Sequence, residues 1–453
     1  MTSKNQLKLF DLTMIVIGLV IGMGIFRTAT TSAQAALTPG VYFAAWIAGG
    51  VIALCGALTY AEIGSRFPIT GGYYKVFAEC YHPSVAFAIN CIILISNAAS
   101  LALVALIGSE YISQLLFATP PTDFVKALIA MGAVAIFYGV NLAGLRMSSQ
   151  TQNVLMLIKI SMIVVLIAGL FFPGADSSPI TSSLKPAADA AFTTMDYIKS
   201  FGIALVAVSF TYGGYQQTIN FGEDVKDPRR TIPRGIFIGI LVIIGLYLLV
   251  QLAYVHMIGF YQLKTTSGIA AVVAEKMFGA TGKFIFTILL FLAVLAYVNV
   301  LLLSNPRVMY AMSKDGILPA AFKKTDQKRD VLTVSLTAFA AASILVLFFA
   351  NTFDKILGFT IFLDSIGMAF SAATIFILRK RTRHLDNTGI YTMKLFPLMP
   401  VIFISAYVFV GISILLSTPH LAYTGLAVFA LFLLIYFLVV KGKKPGQQVK
   451  SAL

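Results

Sequence analysis

The sequence predicts an all-α integral membrane protein that crosses the bilayer many times. Hydrophobic residues make up 58% of the 453 residues, charged residues make up only 11%, and the mean hydropathy is +0.89. Soluble proteins average about 45–50% and about 25% for the same two classes. The apolar runs are nearly continuous and do not alternate, which argues against a membrane β-barrel. A disordered chain, a coiled coil and an ordinary cytosolic enzyme are excluded.

Twelve apolar segments are long enough to cross a bilayer, which takes about 20 residues of helix. Charged or turn-forming residues separate them, such as SRFPITGGYYK after the second segment and EDVKDPRRTIPR after the sixth. The predicted spans are 11–36, 41–61, 84–116, 124–143, 152–173, 196–221, 235–258, 283–310, 331–350, 356–378, 396–417 and 420–440.

The basic residues are divided unevenly between the two sides of the membrane. Of the 33 Lys and Arg residues, 24 lie on the side of the N-terminus, seven lie on the other side, and Arg27 and Lys159 lie inside spans. Cytoplasmic loops carry the excess of such residues. We therefore expect both termini in the cytoplasm and the protein in the cell (inner) membrane. The bias also accounts for the net charge of +15 without nucleic acid, and the basic tail 441–453 is expected to anchor on the lipid surface.

Spans 1 and 6 each carry a glycine cluster at mid-membrane depth. Gly18, Gly22 and Gly24 lie in GLVIGMGIF, and Gly213 and Gly214 lie in SFTYGGYQQ. Either cluster alone is equally compatible with close helix packing. The two spans cross the membrane in opposite directions, however. Glycine-interrupted helices at matching places in two inverted halves are the sequence feature that points to a secondary-transporter binding site.

An interrupted helix has a specific chemistry. The N-terminus of a half-helix presents free N–H groups that attract an anion such as a carboxylate. The freed carbonyl groups of the preceding half attract a cation such as an ammonium. A zwitterionic α-amino acid carries both groups on one carbon atom, so the pattern favours an amino-acid substrate.

Four motifs in order then resemble those of a known family. They are GMGIF at 22–26, YAEIG at 60–64 followed by Arg66, Pro68 and GGY at 71–73, the segment from FTYGG to PRGI at 210–236, and Asn299 followed by Arg307, Tyr310-Ala311, Asp315-Gly316 and Pro319. Over about residues 10–440 the sequence resembles the amino acid–polyamine–organocation superfamily of transporters, near the L-type amino acid transporter branch.

The resemblance implies the inverted-repeat fold shared with sodium-coupled neurotransmitter symporters. Spans 1–5 (residues 10–175) and spans 6–10 (residues 195–380) would form the two repeats. Spans 11 and 12 (residues 396–440) would be additional, and residues 1–9 would be a cytoplasmic tail.

The resemblance also implies the substrate contacts. The carboxylate would meet backbone N–H groups of Gly22, Met23 and Gly24, the amine would meet carbonyl groups of the flanking residues, and the ring of Phe210 would occlude the substrate. The implied substrate-binding set is Val20, Ile21, Gly22, Met23, Gly24, Phe210, Thr211, Gly213 and Gly214. The family's usual serine is replaced by Met23, which supplies an N–H but no hydroxyl group.

Lys159 lies inside span 5, where ionisable residues are rare and are candidates for function. By resemblance to sodium-independent members, its amine takes the place of a sodium ion and tethers span 5 to span 1. Burial disfavours a charged amine, so Lys159 could couple protons to transport, and a fixed cation in an exchanger is equally compatible. The alternative is a side chain that extends to the cytoplasmic surface.

Arg27 and Asp364 are the charged candidates for a gate. Arg27 follows GMGIF in span 1, and Asp364 lies within span 10. In the symporters that this fold resembles, such a pair closes the outer side, and the same role is our hypothesis here. The alternatives are hydration of each group in the vestibule, or pairing with Glu110.

Asn97, Ser100 and Asn299 are polar positions that either face the substrate side chain or bond neighbouring helices. No acidic residue lies beside the glycine clusters in the sequence, so a neutral substrate is favoured. The four His residues lie near span ends and not in a metal-ligand spacing, and no phosphate-binding motif is present. No metal, cofactor or enzyme activity is therefore predicted.

The predicted function is sodium-independent secondary transport of L-amino acids, with neutral ones as the first choice, either in symport with a proton or by exchange. The alternatives are a carrier of cationic amino acids or amines, for which Glu110 or Asp364 could be the partner, and, in a different class, a membrane amino-acid sensor. The sequence does not indicate whether a partner subunit exists.

Overall fold

The structure of the protein is a computed structural model that describes residues 6–22, 24–117, 119, 121–174, 192–266, 268–326, 328–349, 353–383 and 389–440. Of residues 27, 114, 210, 349, 353–361, 439 and 440 it describes the backbone alone. Throughout these residues the regular structure is helical, apart from isolated β-bridges.

In the described part of the chain, fourteen α-helices have nine residues or more. They are α1 Leu9–Val20, α2 Gly24–Ala35, α3 Pro39–Arg66, α4 Gly72–Cys80, α5 Pro83–Leu116, α6 Asp123–Leu142, α7 Leu145–Ala168, α8 Thr194–Tyr212, α9 Pro228–Ile258, α10 Ile269–Lys314, α11 Thr333–Phe349, α12 Phe353–Arg381, α13 Leu398–Ser417 and α14 Pro419–Ile435. Shorter 3₁₀ turns at Tyr215–Asn220 and Gly222–Asp224 connect α8 to α9.

Nine helices in the described part of the chain are long and apolar enough to cross a membrane: α3, α5, α6, α7, α9, α10, α12, α13 and α14. Two more, α1 and α11, are apolar but shorter, with 12 and 17 residues. The prediction of a helical multi-pass membrane protein is confirmed. The count of twelve spans and the inverted repeat stay predictions.

The structure changes the bounds of two predicted spans. Predicted span 6 ends as an α-helix at Tyr212, because the glycine pair follows it. Predicted span 8 is the second part of the 46-residue helix α10, which has a kink at Gly279, where φ is 68°. Glycine tolerates this left-handed backbone without a steric penalty.

The helices with broken ends lie at the centre of the bundle. Helix α1 packs against α7, α9 and α10, and α2 packs against α8, while α3 runs along α8 and α9. In the most apolar window of α5, 78% of the residues are buried, against 28% in α13 and 17% in α14. The last two helices therefore form the periphery, where their Leu and Phe side chains face outward.

An ionic cluster joins α3 to α12 at one end of the bundle. Glu62 is fully buried, and its carboxylate accepts hydrogen bonds from Arg66 Nε at 2.7 Å, Arg379 Nε at 2.8 Å, Arg379 Nη2 at 2.6 Å and the Met393 N–H at 2.9 Å. Since a buried carboxylate is stable only when it is paired and hydrogen-bonded, this cluster fixes α3, α12 and the segment before α13 to each other.

We expect Glu62→Ala to destabilise the protein by roughly 3 kcal/mol, because the substitution leaves two guanidinium groups without their buried partner. The measurement is the melting temperature of the detergent-purified protein, which should fall by several degrees. Glu275→Ala is the control, since the Glu275–Lys283 pair is about half exposed and such pairs contribute less than about 1 kcal/mol. Equal melting temperatures for the two variants would contradict the argument.

Candidate functional site

The first break separates α1 from α2 inside the predicted glycine cluster. Helix α1 ends at Val20, and α2 begins at Gly24. Between them Ile21 has φ −75° and ψ 81°, and the Gly22 N–H donates to the Val20 carbonyl at 2.8 Å. This is an inverse γ-turn. The backbone groups that the resemblance assigns to a substrate are thus bonded to each other in this structure.

The second break follows α8 at the predicted glycine pair. Gly213 and Gly214 are not helical, and Gly214 has φ 114°. A β-carbon at Gly214 would lie 2.2 Å from the Leu19 carbonyl oxygen. Only glycine therefore permits both this backbone conformation and this contact with the end of α1.

A tyrosine from α9 lies between the two breaks. The Tyr247 hydroxyl is buried, and it lies 3.3 Å from the carbonyl oxygens of both Val20 and Thr211. Its one proton can be donated to one of them at a time. Sequence reasoning missed Tyr247, because an aromatic residue in an apolar helix most often belongs to the core.

Lys159 on α7 is fully buried, and its Nζ donates to the carbonyl of Ile21 at 2.5 Å. The contact between spans 5 and 1 that the resemblance implied is therefore present in the structure. Ile21 was predicted to contact the substrate. In the structure its carbonyl instead accepts a hydrogen bond from the Lys159 amine, and Ile21 does not line the cavity.

One cavity adjoins both breaks, and its empty space amounts to about 1300 Å³ when the open solvent at its mouth is counted. Nine predicted site residues line it: Val20, Gly22, Gly24, Asn97, Ser100, Thr211, Gly213, Gly214 and Asp364. Polar residues that sequence reasoning missed also line it: Thr28, Thr31, Tyr73, Ser209, Gln216, Gln217, Tyr297 and Tyr407. Gln216 and Gln217 follow the glycine pair after Tyr215, so their position in the sequence was a usable signal.

Asn97 both lines the cavity and bonds neighbouring helices. Its Nδ2 donates to Asn305 Oδ1 at 2.7 Å, and its Oδ1 accepts from Gln217 Nε2 at 3.2 Å. It therefore connects α5 to α10 and to the turn after the second break. A shift of that turn changes the hydrogen bonds in the cavity wall.

Asn299 lies outside the cavity, in a network between α6, α7 and α10. It accepts from Asn141 Nδ2 at 2.9 Å and donates to Gln152 Oε1 at 2.9 Å and to the Ser148 carbonyl at 3.1 Å. Of the two alternatives for Asn299, the structure supports bonds to neighbouring helices and not contact with the substrate side chain. An amide that is fully buried among helices needs several partners, and neighbouring helices supply them.

Asp364 lies in the cavity wall, where its Oδ1 accepts from Ser96 Oγ at 3.3 Å. The sequence suggested that no acidic residue adjoins the glycine clusters, and the structure corrects this expectation, because tertiary packing brings α12 to the same cavity. Met23 lies outside the described residues, and the side chains of Arg27 and Phe210 are not described. The predicted gate pair of Arg27 with Asp364 therefore stays a prediction.

The chain belongs to the amino acid permease family, which matches residues 7–446. This membership confirms the predicted superfamily. It also confirms that the protein is a transporter and not an enzyme.

The relatives of this chain are amino acid transporters. It is 27% identical over 423 residues to the serine/threonine exchanger SteT of Bacillus subtilis (strain 168), a match that covers 92% of this chain and 93% of the relative. It is 26% identical over 448 residues to large neutral amino acids transporter small subunit 2 of Rattus norvegicus, covering 96% and 81%. It is 23% identical over 443 residues to Asc-type amino acid transporter 1 of Mus musculus, also covering 96% and 81%.

We expect Gly214→Ala to abolish transport, because the added methyl group collides with the end of α1 and the backbone at φ 114° is unfavourable for alanine. The measurement is amino-acid uptake into proteoliposomes at equal protein content. Gly245→Ala is the matched control, since a β-carbon at Gly245 in α9 meets no atom within 4 Å. Normal uptake by Gly214→Ala would show that the two breaks do not need this close contact.

Proposed function

We propose that this amino acid permease carries neutral L-amino acids across the cell membrane by sodium-independent exchange. The observation that carries the proposal is the cavity between two broken helices, where backbone groups of both breaks face the same space. The relatives that are named as an exchanger and as a neutral amino acid transporter support this choice of substrate and mode.

The breaks offer matched sites for the two charged groups of an amino acid. The N-terminus of α2 at Gly24 carries a partial positive charge, which suits a carboxylate. Carbonyl groups at Val20 and Gly213 suit the ammonium group. Binding would open the turn at Ile21, because the Gly22 N–H would then donate to the carboxylate instead of to Val20. The substrate thereby replaces one internal hydrogen bond with several charge-assisted ones.

Lys159 supplies a fixed cation at the first break. Its ammonium group binds Ile21 from within the protein, so no sodium ion has to enter or leave with the substrate. Because Lys159 is part of the protein, it cannot cross the membrane with the substrate as a sodium ion does, and it cannot drive uptake. This favours the exchange of one amino acid for another over uptake driven by sodium.

We further propose that the two breaks belong to inverted repeats, residues 10–175 and 195–380, and that both termini are cytoplasmic. Support comes from the end of the bundle that holds Leu7, where the basic residues predicted to be cytoplasmic meet acidic partners. There the Arg307–Asp224 pair has an N–O distance of 2.6 Å, and Lys75 pairs with Asp315. The Leu7 N–H also donates to the Asp224 carbonyl at 2.8 Å.

The test of the proposed function is uptake of labelled L-amino acids into proteoliposomes. Each substrate is measured with and without unlabelled amino acid preloaded inside, with sodium replaced by choline, and with and without an inward proton gradient. We expect saturable uptake of neutral amino acids that needs preloading and is unaffected by sodium. Uptake that a proton gradient drives into empty liposomes would show symport instead. Absence of any amino-acid uptake would overturn the proposed substrate.

We expect Lys159→Met to lower exchange at least ten-fold, because hydrogen bonds to charged groups contribute about 1.5–3 kcal/mol and methionine cannot hold Ile21. Methionine fits the apolar surroundings, so the protein should stay folded, which its melting curve checks. Lys283→Met is the control, since Lys283 is about half exposed. Exchange by Lys159→Met at the rate of the unsubstituted protein would show that the amine has no part in transport.

A further inference from the structure

Asp364 stands out among the acidic residues of the bundle. At the end of the bundle that holds the Glu62 cluster, four acidic residues each form an ion pair with Lys or Arg: Glu62, Glu79, Asp224 and Asp315. Asp364 has no ion pair among the described side chains, and its hydrogen-bond donor is the neutral hydroxyl of Ser96 at a rather long 3.3 Å.

The cavity has one carboxylate and no cation among its described lining residues. Lys159 does not compensate Asp364, because the amine is bound to Ile21 and is absent from the cavity wall. A charge at membrane depth is costly unless an opposite charge approaches it. The described lining of the cavity is therefore complementary to a ligand that carries one positive charge beyond those of a zwitterion.

The position of Asp364 matches the side chain of a bound amino acid better than its α-carbon. One face of α12 lines the cavity with Asp364, Gly367 and Met368, next to Ile93 and Asn97 of α5, whereas the broken ends lie on α1, α2 and α8. A β-carbon at Gly367 would make ordinary van der Waals contacts, with Ile93 at 3.5 Å and the Tyr73 hydroxyl at 3.9 Å, so α12 and α5 pack directly against each other beside Asp364.

Aromatic residues complete this part of the cavity. Tyr73, Tyr297 and Tyr407 line it together with Asp364. Tyrosine rings attract ammonium and guanidinium groups through their faces and also cover the methylene groups of a long side chain. A carboxylate with neighbouring tyrosines is a suitable environment for such a side chain.

We propose that Asp364 binds a cationic substrate side chain, so that the carrier accepts L-amino acids ending in an ammonium or guanidinium group as well as neutral ones. The inference rests on the proposed function, because it assumes that the α-amino and α-carboxyl groups bind at the helix breaks. It extends that function from neutral to cationic amino acids and assigns the residue that sets this specificity.

The test compares arginine with citrulline, and lysine with norleucine, in exchange against an internal neutral amino acid. The members of each pair are close in size and differ in the side-chain charge. Potassium and valinomycin clamp the membrane potential at zero, because entry of a cation in exchange for a neutral amino acid moves charge. The readout is the ratio of cationic to neutral uptake, which is independent of the amount of active protein.

We expect the unsubstituted protein to take up arginine and lysine, and Asp364→Asn to lower the ratio at least ten-fold. Glu110→Gln is the control, since it removes the same charge from an exposed position on α5 and should leave the ratio unchanged. Should Asp364→Asn be inactive toward all substrates, ligand-induced thermal stabilisation decides: the variant must lose stabilisation by arginine and keep stabilisation by citrulline.

The outcomes separate the two proposals. Exchange of neutral but not cationic amino acids by the unsubstituted protein would overturn the role of Asp364 and favour its pairing with Arg27. An unchanged ratio in Asp364→Asn, or equal stabilisation of the inactive variant by both ligands, would overturn it as well. Exchange of no amino acid at all would instead overturn the proposed function.

Discussion

The structure depends on how the backbone groups freed by two broken helices are bonded inside the helix bundle. A helix end leaves N–H and C=O groups unpaired, and in hydrocarbon each such group costs several kcal/mol. Here each break has identifiable partners. Gly22 bonds to Val20 across a tight turn, Lys159 bonds to Ile21, and the Gly214 N–H donates to Gln216 Oε1 at 2.9 Å.

Two partners of the breaks, Lys159 and Tyr247, come from helices that are distant in sequence, and they explain the arrangement around the breaks. Lys159 requires α7 beside the first break, and Tyr247 requires α9 beside both breaks. The close contact between Gly214 and Leu19 then holds the two breaks together. Because glycine has no side chain at these points, backbone groups form part of the cavity wall, and side chains from several helices, α5, α10 and α12 among them, form the rest.

The two helix breaks were predictable from the sequence, but the residues that surround them were not. Glycine clusters mark local backbone conformation, and a lysine in an apolar span marks an unusual environment, so Gly22, Gly214 and Lys159 were recognisable. The position of Asn299 depends on which side of α10 faces α7, and several polar residues in one helix make that choice ambiguous. Tyr247 and Tyr297 resemble core residues, because the function of a hydroxyl group depends on a partner that only the tertiary structure supplies.

The two charged residues near the breaks, Lys159 and Asp364, differ in what they are bonded to, and this difference separates coupling from specificity. Lys159 is bonded to the protein's own backbone at Ile21, which is part of a turn that the substrate would open. Its effect on transport therefore concerns every amino acid alike, since every amino acid has the same α-groups. Asp364 faces the cavity with a serine hydroxyl as its donor, so its contribution depends on the side chain of the ligand. A carrier built in this way would keep one invariant site for the α-groups and adjust its choice of substrate at α12.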